Sequence, residues 1–107
     1  MLDAQIKSSG ERVAIKLCRA QEGEMPIIIK EGLIMKRVKS KNVAELKEFG
    51  CSSGDNLVWF VIELLEGRTL DDIIISNGPL PVQEACRVGL DILNGLLDIH
   101  QAGLIHR

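Results

Sequence analysis

Hydrophobic and polar positions change period several times along the chain, and each change marks an element. Arg12 to Cys18, RVAIKLC, mixes β-branched and aliphatic residues around one embedded lysine and follows the turn signal Ser8-Ser9-Gly10, which predicts a buried strand. Leu2 to Lys7, on the other side of that turn, is its expected hairpin partner, with only weak alternation. Beyond QEGE, Pro26 stands where a first helical position would be. Ile27, Glu31, Ile34, Met35 and Val38 then recur at steps of three and four, which predicts an amphipathic helix of about three turns. Asn42 to Phe49 reads as a further strand. The turn CSSGDN separates it from LVWFVIELL, a nearly continuous apolar, β-prone run and the clearest strand in the chain.

EGR breaks that strand, and Leu70 to Ser76 makes a short helix ended by Asn77-Gly78-Pro79. From Pro81 to roughly Gln101, the residues Ala85, Val88, Gly89, Ile92, Leu93, Leu96 and Ile99 form a stripe at helical period, closed by Gly103. Strands first and helices afterwards predict an α+β fold with an antiparallel sheet, not alternating βαβ units. No internal repeat, low-complexity tract or linker interrupts the 107 residues, which read as a single unit.

Composition narrows the classes. Hydrophobic residues at 46% and charged residues at 26% are ordinary for a soluble globular chain. Phe49, Trp59 and Phe60 are its aromatic residues, so branched aliphatics must fill the core. A formal charge of -2 with mixed signs offers no basic stripe to nucleic acid or anionic lipid, and both partners are excluded. Cys18, Cys51 and Cys86 lie far apart, without short metal-ligand spacing or a secretory leader, as expected of reduced thiols in a cytoplasmic protein. Even Ile73 to Ile75 is hemmed by Asp72 and Ser76, so no run is long enough for a membrane helix.

Candidate chemistry begins at Lys16. An ammonium on a buried strand is costly to desolvate unless a carboxylate accompanies it. Taken with no other context, a lysine snorkelling from an edge strand, with Glu31 a solvated helix residue, is the stronger reading. The ordered set VAIK at Val13 to Lys16, KEGLIMKRV at Lys30 to Val38, VIELLEGRTL at Val61 to Leu70 and GLIHR at Gly103 to Arg107 changes that picture. In this order and at this spacing the segments resemble the first half of a protein kinase catalytic domain, and the resemblance covers essentially the whole chain. It implies a kinase-like α+β fold. Residues 1–65 would form an antiparallel small-lobe sheet with one packed helix and the hinge, and residues 66–107 the first helices of the large lobe.

The resemblance also implies roles. Glu31 matches the helix glutamate that keeps the lysine, here Lys16, aimed at the α- and β-phosphates of ATP. Ala14 resembles the small residue that roofs the adenine ring, and Ile62 the residue guarding the back of the pocket. Glu63 and Leu65 match the hinge positions whose backbone carbonyl and amide pair with the adenine edge; a plain core strand followed by a turn would carry the same letters. One of Thr69, Asp71 or Asp72 could reach a ribose hydroxyl, although Asp71 and Asp72 also suit a first helical turn, and capping is the stronger expectation. Of the catalytic loop, His106 would pack structurally and Arg107 would meet the activation segment. His100 suits a helix end by its dipole contact. Of the family's His-Pro-Asn turn, SKNVAEL keeps only Asn42.

By family spacing the glycine-rich loop would lie just before Met1, the catalytic aspartate just after Arg107, and the metal-binding asparagine and Asp-Phe-Gly further on. Magnesium would accompany ATP in the complete domain, but these residues offer it no ligand. The expected function is therefore part of an ATP-dependent protein kinase, of serine/threonine type by family frequency, itself inactive and binding nucleotide weakly or not at all. The alternative is a pseudokinase-like module acting by contact. A broad aliphatic stripe on the last helix, left uncovered, would favour self-association or a protein partner. An unrelated α+β domain is the third option.

Overall fold

The structure, a computed structural model, describes residues 1–52 and 54–106. Its first hairpin joins β1 (Leu2–Gln5) to β2 (Arg12–Arg19), antiparallel, with Leu2 opposite Ile15 and Gln5 opposite Arg12. Gly10 makes the reversal possible with a φ of +74°, a region costly for residues with a Cβ. Its N–H donates to the Ile6 carbonyl at 2.8 Å, and the Gln5 side-chain amide donates to the Gly10 carbonyl at 2.7 Å.

Two more strands, β3 (Leu46–Ser52) and β4 (Leu57–Glu63), complete an antiparallel sheet of order β1-β2-β4-β3. The most apolar segment occupies an interior position, where both edges and much of both faces leave water. Val58, opposite Cys18 on one side and Cys51 on the other, is only 1% exposed. Across the β3–β4 pair, the rings of Phe49 and Phe60 stack at 6.5 Å. Val13, Ala14, Ala20, Val38, Leu46, Val58 and Ile99 form the buried core, all aliphatic as the scarcity of aromatics requires.

The helix α1 (Met25–Met35) carries Pro26 in its first turn, as expected. Its packing face agrees with the expected one at Glu31 and Met35 and departs from it around Gly32, its one buried residue. A Cβ there would stand 3.0 Å from the Phe49 ring, so the missing side chain lets the helix seat closely on the sheet. That seating turns Ile28, Glu31 and Met35 inward and leaves Ile27, expected in the core, 57% exposed.

The third strand also starts later than the expected Asn42. The Ser40 hydroxyl accepts the Asn42 N–H at 3.1 Å, so a local turn takes up backbone that would otherwise join the ladder. At its other end β3 runs on through Cys51 and Ser52, which find partners in Val58 and Leu57. β4 stops at Glu63, leaving Leu64 and Leu65 outside the sheet.

The short helix α2 (Leu70–Asn77) is capped by Thr69, whose hydroxyl accepts the Asp72 N–H at 3.1 Å. Asp71 and Asp72 occupy its first turn, so the expected capping role falls on the threonine. The long helix α3 (Val82–Gln101) buries Gly95 and Ile99. It closes on left-handed Gly103, with the Leu104 N–H reaching back to the Ile99 carbonyl at 3.1 Å, and His100 in its last turn. Among the described residues, no helix is long and apolar enough to cross a membrane.

Candidate functional site

Side chains two apart on a strand share a face, and directly opposed residues share it across the ladder. Ala14, Lys16 and Cys18 of β2, opposite Ile62, Phe60 and Val58 of β4, therefore line up on one side of the sheet. That side, from Lys16 to Cys18 and with Leu46 added, walls a cavity of about 890 Å³. Ile28, Glu31, Gly32 and Met35 of α1 form its second wall, and Ile92, Gly95, Leu96 and Ile99 of α3 its third. Leu104, Ile105 and His106 complete the rim. The lining is mainly apolar, with Lys16, Glu31, Asn42 and His106 as its polar side chains beyond the thiol, a composition typical of small-molecule sites.

Of the residues singled out in the sequence, Lys16, Glu31, Ile62 and His106 meet at this cavity. Ala14 is buried at the same sheet face, opposite Ile62, but does not line the cavity; neither do Glu63, the last residue of β4, and Leu65 beyond it. Two expectations need correction. Lys16 is exposed, because β2 carries it at the open wall of the cavity, so desolvation imposes no demand on it here. His106 is exposed as well, not packed. After Gly103 the chain turns away from α3, and Gly103, Leu104 and Ile105 run beside Ile27, Glu31 and Ile34 of α1, leaving the histidine at the rim. Arg107 lies outside the described residues.

Two features of the site escaped the sequence reading. One is the pair of helix glycines that set its walls. Gly32 brings α1 onto Phe49, and Gly95 brings α3 onto the turn after α1, where a Cβ would stand 2.7 Å from the Asn42 carbonyl oxygen. A glycine inside a helical pattern is a signal of this kind, though the expected stripe held Gly89 instead.

The other is a charged cluster where β4 leaves the sheet. Lys47 Nζ lies 2.6 Å from Glu11 Oε1 and 3.7 Å from Glu45 Oε2, and Glu45 also pairs with Lys39. The Glu45 N–H donates to Glu63 Oε2 at 3.2 Å, and the Glu63 N–H donates to the Glu45 carbonyl at 2.9 Å. Chiefly through its hydrogen bond to Glu11, the Lys47 ammonium is held above its usual range. The hydrogen bond from Lys39 holds the Glu45 carboxyl below the usual carboxylate range. Beside this cluster, Lys36 at the end of α1 pairs with Glu48 at 2.9 Å, tying helix to sheet.

Comparison with known proteins places this arrangement. A model described as the protein kinase domain matches residues 2–107. A probable myosin light chain kinase of Dictyostelium discoideum is 34% identical over 104 residues, covering 94% of this chain and 26% of that protein. Serine/threonine-protein kinase SMU1 of Mycosarcoma maydis is 35% identical over 96 residues, covering 89% of this chain and 12% of its own. The crystal structure of Rad53 in complex with AMP-PNP superposes with a TM-score of 0.85 at 21% identity, over 98% of this chain and 27% of that one, a likeness of fold. The chain thus spans about a quarter or less of each of these proteins. With the motifs ordered along one sheet and two helices, and the family match running nearly end to end, the chain belongs to the protein kinase domain family.

Proposed function

We propose that these residues form the nucleotide-facing part of an ATP-dependent protein kinase, whose whole chain transfers the γ-phosphoryl group to serine or threonine hydroxyls of proteins. The observation that carries this reading is that Lys16 and Glu31, from separate elements, line the same cavity. There the Lys16 ammonium supplies positive charge to the α- and β-phosphates, and the Glu31 carboxylate restricts where that ammonium can point. Ile62 closes the back of the site, and Ala14, small and opposite it in the ladder, is assigned the roof of the base. The Glu63 carbonyl and Leu65 amide, at the strand exit, pair with the adenine edge. The printed name of the Mycosarcoma maydis relative supports the serine/threonine assignment. The three free cysteines suit a reducing, cytoplasmic setting.

Phosphoryl transfer is mostly positioning and charge neutralisation. Magnesium, when bound in the complete domain, supplies charge neutralisation at the phosphates. A catalytic-loop aspartate following His106 and Arg107 would act as the general base in the complete domain, and such assistance is worth about 100- to 10,000-fold. A second reading, a module acting by contact or self-association, is favoured by α3, where Leu90, Leu93 and Leu97 are exposed.

The test is acyl-phosphate ATP labelling of the natural gene product that contains these residues, read by mass spectrometry. Labelling at Lys16, competed by ATP and reduced in Glu31→Gln, is expected. Absence of labelling in folded protein overturns nucleotide binding. The adjoining coding sequence separates the two readings: an aspartate directly after Arg107 supports the enzyme, and a stop codon supports the contact module.

A further inference from the structure

The backbone groups assigned to adenine lie where β4 ends, and backbone groups cannot be tuned by their own side chains. Their position depends on what holds that end of the strand. On the β3 side the ladder slips there: Leu46 pairs with Ile62 but Glu48 with Val61, which makes Lys47 the extra residue of a bulge. Bulges re-aim side chains and gather beside functional sites.

Lys47 is re-aimed across the sheet. Its ammonium reaches Glu11, which directly precedes β2, although β2 and β3 are not neighbours and β4 lies between them. The ion pair therefore spans β4, and it does so near the strand's end, because Val13, just inside β2, stands opposite Glu63. Glu63 itself is tied to the same cluster, since both its N–H and its carboxylate engage the backbone of Glu45. With a side chain only 23% exposed, Lys47 is less solvated than either carboxylate it pairs with.

We propose that Lys47 is a positioning residue for the nucleotide: by reaching Glu11 across β4 and holding Glu45 beside it, it fixes the strand end whose backbone meets the adenine edge. The proposal rests on the nucleotide-binding reading above. Single ion pairs at a surface are weak, so the effect expected is modest and directed at base recognition, not at phosphoryl transfer.

The experiment uses the natural gene product containing residues 1–107 and compares wild type with Lys47→Met, Lys47→Arg and Glu11→Gln. The Kd for AMP-PNP is measured by calorimetry, and the melting temperature is recorded alongside. Lys47→Met and Glu11→Gln should each weaken AMP-PNP about two- to fivefold, the span of a surface ion pair, and Lys47→Arg should retain wild-type affinity. A purine analogue lacking the exocyclic amine should lose less affinity than AMP-PNP does on Lys47→Met, because the contact to the Glu63 carbonyl is missing from it and only that to the Leu65 amide remains. Wild-type affinity in Lys47→Met, or an equal loss for both nucleotides, overturns the clasp, as does a fall in melting temperature with affinity unchanged. If wild type binds no AMP-PNP, the nucleotide reading itself fails; if it binds and Lys47→Met matches it, only the clasp fails.

Discussion

Gly95 on α3 lies directly under the Asn42 carbonyl oxygen, so closely that a Cβ would come within 2.7 Å of it. The obstacle is backbone, which cannot swing aside as a side chain can. Gly95→Ala should therefore cost about 1–3 kcal/mol in overpacking, offset by about 1 kcal/mol of helix propensity. Gly89, six positions earlier on the same helix, has nothing within 4 Å of its would-be Cβ. Gly89→Ala should stabilise by up to about 1 kcal/mol. Urea midpoints moving in opposite directions for the two variants would show that α3 is held at this point. Equal shifts would show that it is not.

A comparable close approach on the sheet offers an optical test. The Trp59 indole occupies the space that a Cβ on Gly50, its register partner, would fill. Gly50→Ala must displace the ring. As Trp59 is the chain's single tryptophan, its fluorescence reports that site alone. A shift of emission to longer wavelength is expected, since the ring moves from the sheet towards water, and an unchanged spectrum would refute the packing.

How much of this was legible in the sequence depends on the range of each interaction. β4 was readable because an interior strand must be apolar almost throughout, and α3 because its stripe repeats over many turns. The start of β3 was misplaced because the Ser40 turn competes locally with the ladder, and strand propensity carries no record of that hydrogen bond. On α1 the sequence pattern marks Glu31 and Met35 as inward but not the exposure of Ile27, because Gly32 seats on Phe49, a partner set by tertiary packing. Motif order assigns Lys16 and Glu31 to one site, and both line the same cavity. The Lys47–Glu11 pair could not be joined in this way, because it links positions far apart in sequence with no period between them.

The N-terminus of α2 should respond to its cap. The Thr69 hydroxyl accepts the Asp72 N–H, and Arg68 Nη2 reaches forward to the Asp72 carbonyl at 2.9 Å. Since α2 has no buried residue, little else anchors this turn. Thr69→Ala should cost about 1 kcal/mol, and Thr69→Ser should restore it. Amide hydrogen exchange should quicken within α2 and stay unchanged in β4. Uniform quickening would mean that the cap supports the whole domain.

Acid should weaken the links made by Glu45 and Glu48 to Lys39 and Lys36. Both carboxyls are held below their ordinary value of 4.5, chiefly by hydrogen bonds from Lys39 and Lys36 respectively, with the Phe49 N–H assisting at Glu48. A carboxyl whose folded pKa is depressed contributes stability that is present above its unfolded value and is lost as pH falls through the folded one. Lys47 has the opposite sign: raised above 10.5, its contribution is intact at neutral pH and disappears only in strong alkali. Removing the cations with Lys36→Met and Lys39→Met should therefore flatten the loss of stability below about pH 4.5 and leave the alkaline limb unchanged. Because these groups are exposed, high salt should bring the wild-type acid profile close to that of the double variant. Identical acid profiles at low salt would show that neither pair contributes to holding α1 and the following turn on the sheet.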